Sequence, residues 1–129
     1  FDGPPAKMQR SLERLVSLPA ETQVFCGHEY TQDNLRFAWS VDPDNPALAD
    51  RIKTVWRVRG TGHSTVPSTI LDERETNPFI AWQRPALQHA AQAFNPQIDL
   101  ADPAAVFGAL RALKDSKAYR ELSDTDLPL

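Results

Sequence analysis

A chain of 129 residues, 41% of them apolar and 24% charged, has the balance of one globular domain and not of a disordered tract. Fourteen Lys plus Arg against seventeen Asp plus Glu give a net charge of −3 with no block of like charge, so no electrostatic footprint marks a nucleic-acid or membrane-surface partner. The single cysteine, Cys26, excludes an internal disulfide and a multi-thiolate zinc site, and no apolar run approaches the roughly twenty residues of a membrane span; the expectation is a soluble, cytoplasmic chain.

Eleven prolines against five glycines fall between the apolar-periodic segments and punctuate helices. Met8, Leu12, Leu15 and Val16 recur at helical spacing, predicting an amphipathic helix over 6–18, with Arg10, Glu13 and Arg14 on its wet side. Thr22 to Cys26 is short and β-prone, and Gly27 ends it, so His28 stands at the strand's C-terminal lip. A lone strand exposes unpaired backbone groups. Its sheet partners are therefore expected outside this chain, with Val24 and Phe25 covered by a second molecule or by the chain's own helix, and self-association through the strand is predicted.

Leu35, Ala38 and Trp39 mark a helix over 31–41, closed by Asp42-Pro43-Asp44. Asn45 caps the next, Pro46 takes its first position, Leu48, Ile52, Val55 and Trp56 form its stripe, and Gly60 is expected in the left-handed position after its end. Residues 61–82 read as an ordered connector with a helical turn over 70–75. A helix over 85–94 follows. Asp102 caps the last one, with Pro103 first and Val106, Phe107, Leu110 and Leu113 inward, to about residue 117; the tail after Tyr119 is expected to fray.

An imidazole at a strand's end is well placed to ligate a metal, but one nitrogen cannot hold an ion that takes four or more ligands, and a lone histidine is often structural. His28-Glu29 opens the H-E-x-x-H metalloprotease pattern, which fails at Gln32. His63 and His89 lie in no ligand-like spacing and read as surface or packing residues. Arg111 and Lys114, three apart on a helix, share a face and could clamp a carboxylate or form a solvated basic edge.

Five linked motifs add a resemblance. Gly27-His28-Glu29-Tyr30-Thr31, Asn34-Leu35-Arg36-Phe37-Ala38, Pro67-Ser68-Thr69, Asn77-Pro78-Phe79 and Arg111-Ala112-Leu113-Lys114-Asp115, in this order and spacing, resemble the C-terminal half of the glyoxalase II family, the hydroxyacylglutathione hydrolases. Phe1-Asp2-Gly3, Met8, Ser11-Leu12 and Leu18-Pro19 resemble the helix that precedes the histidine strand there, so the likeness spans the chain.

The resemblance implies a mainly α fold: residues 1–28 as the last helix and strand of a metallo-β-lactamase-type αββα sandwich, and 29–129 as a helical substrate-binding domain. It implies that His28 is a metal ligand, that Tyr30 approaches the glutathione moiety, and that Arg111 and Lys114 grip a substrate carboxylate. The family's T-H-x-H-x-D-H ligand motif, a further histidine and a bridging aspartate have no counterpart in this chain, and Ala81 stands where the family commonly has Arg.

The implied activity is metal-assisted hydrolysis of a glutathione thioester with two divalent ions, zinc, iron or manganese, in the complete enzyme. This chain would supply substrate-binding residues and no catalytic one, would hold no metal stably alone, and would work only with an N-terminal metal-binding portion. The alternative is a non-catalytic binding or interaction module of the same descent.

Overall fold

Prolines open four of the helices in the computed structural model, which describes residues 3–129. Phe1 and Asp2, part of the first resembling motif, lie outside the described residues. A proline at the first helical turn loses no hydrogen bond, because that N–H has no intrahelical partner, and its φ is already helical. In chain order the elements are α1 (Pro5–Val16), β1 (Gln23–Val24), α2 (Thr31–Val41), α3 (Pro46–Gly60), β2 (Ser68–Thr69), α4 (Ile70–Thr76), α5 (Pro85–Phe94) and α6 (Pro103–Asp115). Two 3₁₀ turns, Ala118–Glu121 and Asp124–Asp126, finish the chain. The fold is mainly helical.

Side-chain caps fix the starts. Asn45 accepts from Leu48 N–H (3.3 Å) at α3, and Asp102 accepts from Ala104 N–H (3.0 Å) at α6. Thr69 and Asp72 form a reciprocal capping box on α4. At the end of α3 the expectation needs correcting: Gly60 is the last helical residue, and Gly62, at φ +79°, takes the left-handed position.

α2 lies between two apolar clusters. Phe37 faces the first, with Phe79, Leu87, Phe107 and Leu110, while Leu35 and Ala38 face the second, with Leu48, Ile52 and Val55. The aromatic rings of the first cluster meet stacked or tilted, with centroids 5.4 to 5.7 Å apart. Met8 and Leu12 bring α1 onto this cluster, whereas Leu15 at its far end is 55% exposed.

The lone-strand expectation is corrected by β2. β1 pairs antiparallel with it, Gln23 opposite Thr69 and Val24 opposite Ser68, so one sheet partner lies within the chain and the strand spans two residues instead of five. Val24 is thereby half-buried, while Phe25 remains 71% exposed. Nothing in this pairing calls for a second molecule on that edge. The C-terminal tail is also ordered. Arg36 donates to Leu122 O (2.8 Å) and to Asp124 (2.7 Å), Trp39 Nε1 donates to Asp126 O (3.0 Å), and Leu127 is buried against the second cluster. These ties come from α2, far away in sequence, which is why local periodicity misses them.

Candidate functional site

β1 is anchored by the residues just ahead of it. Thr22 O accepts from Ile70 N–H (2.9 Å) and Ala20 O from Leu71 N–H (3.0 Å), so β1 is tied to the start of α4 as well as to β2. The chain then bends at Gly27 and His28, which form an exposed lip. His28 and Tyr30, two residues apart, stack with ring centroids 4.9 Å apart and planes 4° from parallel. Glu29 between them sends its carboxylate to Thr31 and Thr65 instead.

Glu29 faces the loop before β2. The hydroxyls of Thr31 (2.7 Å) and Thr65 (2.8 and 2.9 Å) and the backbone N–H of Thr65 surround its carboxylate. Burial pushes this carboxyl up, but the Thr65 backbone donor and the Thr31 and Thr65 hydroxyls prevail and bring it from its ordinary 4.5 down to about 2.

Arg111 and Lys114 sit on one face of α6, both half-buried. Each has an acidic neighbour: Arg111 Nε lies 3.7 Å from Asp115, and Lys114 Nζ lies 3.4 Å from Asp33. Tyr119 donates its hydroxyl to the same Asp33 oxygen (2.7 Å), and Lys114 lies 5.3 Å over the Tyr119 ring. Burial alone would raise Asp33, yet the Tyr119 hydroxyl, Lys114 and Arg120 hold it below the usual carboxylate value.

These pieces meet in a cleft of about 460 Å³. His28, Tyr30, Arg111 and Lys114, the four residues singled out in the sequence, all line it. His63 and His89 are exposed and do not. Sequence reasoning missed the polar wall from α3 and α4. Arg51 reaches Thr76 (2.6 Å) and Glu73 (3.1 Å), and Glu73 also accepts from Ser68 (2.8 Å) and Asn77 (2.9 Å). Asn77 in turn accepts from Phe79 N–H (2.9 Å), which places the Phe79 ring in the aromatic cluster. The Thr69-x-x-Asp72 capping signal was the one local clue to this region. Ala81 packs partly buried against the first cluster.

Among the described residues no group of three or more His, Cys, Asp and Glu side chains converges on a point. The chemistry of His28 suits a metal, since its ring is exposed and free to present a nitrogen, but the described residues do not compose a coordination sphere, and no reaction step through a metal follows from them. None of the helices is long and apolar enough to cross a membrane, among the described residues.

The class the fold defines is a helical layer with a cleft lined by a strand-lip imidazole and by two cations on one helix face. Its family is explicit, since residues 29–117 match the model of the hydroxyacylglutathione hydrolase C-terminus, and the chain belongs to that family. Relatives named hydroxyacylglutathione hydrolase extend the match toward the N-terminus. Those of Synechococcus sp. (strain JA-2-3B'a(2-13)) and Gloeobacter violaceus are each 51% identical over 115 residues, covering 89% of this chain and 43% of the relative. That of Pseudomonas fluorescens is 46% identical over 115 residues, covering 89% and 45%. The chain thus spans under half the length of these relatives.

Proposed function

We propose that this chain is the glutathione-thioester-binding portion of a hydroxyacylglutathione hydrolase. The observation that carries the reading is the cleft itself, where His28, Tyr30, Arg111 and Lys114 converge although they come from both ends of the sequence. Two cations on one helix face can together receive a ligand carboxylate. Tyr30, 60% exposed and backed by the His28 ring, offers a flat surface to the peptide part of the ligand.

In this reading residues 1–28 belong to the metal-holding layer and residues 29–129 to the substrate domain. His28 is one donor to a pair of divalent ions, zinc, iron or manganese, whose remaining ligands come from an N-terminal metallo-β-lactamase-like portion. When bound, those ions supply the activation of water and of the thioester carbonyl. This chain's residues bind and orient the glutathione moiety.

The test is complementation. The chain and a metal-loaded N-terminal portion of one of the relatives are mixed and assayed with an S-2-hydroxyacylglutathione. Hydrolysis by the mixture and by neither piece alone is the expected result. Turnover by the chain alone, or no turnover from two folded pieces that bind each other, overturns the proposal; the second outcome favours a non-catalytic binding module.

A further inference from the structure

The pairing of β1 with β2 covers only two residues, yet the lip lies four residues beyond it. The ladder stops because Val66 N–H turns back to the Ser64 hydroxyl (3.1 Å) in place of continuing across to the opposite segment. From there to α2 the two segments are joined chiefly around one side chain, Glu29. Its carboxylate reaches residues 64 and 65 of the facing loop and Thr31 in the first turn of α2, and the Thr31 and Thr65 hydroxyls are themselves 2.8 Å apart.

We infer that Glu29 is the positioning residue of the cleft lip: by riveting the lip segment to the Ser64–Thr65 loop, it turns the His28 and Tyr30 rings together toward the cleft. The inference rests on the proposed roles of those two rings and adds the device that orients them. The two rings flank Glu29 in sequence and stack on each other, so the residue fixed against the facing loop lies between the pair it orients. Gly27 just before the lip carries no side chain to pack, and both rings are exposed. A binding surface whose side chains are already ordered avoids the cost of ordering them when the ligand arrives.

The experiment uses the whole chain and two variants, Glu29→Gln and Thr65→Val. The first keeps the shape of the side chain and removes its charge; the second keeps the backbone donor and removes only the hydroxyl. The readouts are the ring-proton shifts of His28 and Tyr30 in NMR spectra, which report their stacking directly, and the affinity for S-methylglutathione by calorimetry. Both variants are expected to keep the amide spectrum of the helical core, to move the ring shifts of His28 and Tyr30 toward unstacked values, and to bind the conjugate about tenfold more weakly, the cost of ordering two side chains on binding. Should Glu29→Gln fail to fold, Thr65→Val carries the test. Unchanged ring shifts in a folded variant overturn the inference, whatever the affinity. Ring shifts that collapse in a chain whose wild type does not bind S-methylglutathione uphold the positioning role and count against the proposed ligand.

Discussion

The aromatic cluster and the cleft rim share α2 and α6 and are held by opposite means. Around Phe37, Phe79 and Phe107 the chain is ordered by removal of apolar surface from water, and each fully buried ring contributes about 2–3 kcal/mol. Along the rim the ordering groups are carboxylates: Glu29 for the lip, Asp33 for Lys114, Glu73 for Arg51 and Asn77. A hydrogen bond from a half-exposed group contributes modestly to stability but fixes direction, which dispersion among apolar groups does not. The core therefore sets whether the chain folds, and the rim sets where four side chains point.

That division can be broken most severely in the cluster. Phe107→Ala removes a fully buried ring from α6 and is expected to cost about 3–5 kcal/mol in urea unfolding, because the surrounding helices relax only in part. Deleting residues 122–129 exposes Leu127 and frees Arg36 and Trp39, with an expected loss of about 2 kcal/mol. A tail that contributed nothing would leave the urea midpoint unchanged. Arg84→Ala leaves the buried Asp42 carboxylate with Asn45 as its remaining neutral donor and is expected to cost about 1–3 kcal/mol, read in the same way.

The rim gives the smallest effect, and one with a pH signature. A carboxyl that ionises at about 2 when folded and near 4.5 when unfolded stabilises the fold fully above about pH 4.5, and that contribution is lost as the pH falls toward 2. Thermal melts from pH 6 to pH 2 should therefore show a shallower acid decline for Glu29→Gln than for the wild type. Parallel curves would remove Glu29 from the acid response.

The same contrast explains what the sequence discloses. Helices that bury a stripe repeat it every three or four residues, so Leu48, Ile52 and Val55, or Val106, Phe107 and Leu110, announce themselves locally, as do the caps Asn45 and Asp102. His28, Tyr30, Arg111 and Lys114 were legible because the linked motifs carried them. The partners that hold them were not: Glu29 meets Thr65 36 residues on, and Asp33 meets Tyr119 86 residues on. No local period encodes such pairs. Arg36 ties down a tail that local pattern alone would leave loose, at Leu122 and Asp124.

The central claim is that the cleft grips the glutathione moiety through the cations of α6. Calorimetric titration of the chain with S-methylglutathione, beside Arg111→Ala and Lys114→Ala, tests it most directly. The account predicts saturable binding to the wild type and a loss of about ten- to a hundredfold in each variant, the worth of a charge-assisted hydrogen bond to a carboxylate. A wild-type chain that does not bind, or variants that bind as tightly as the wild type, would contradict it.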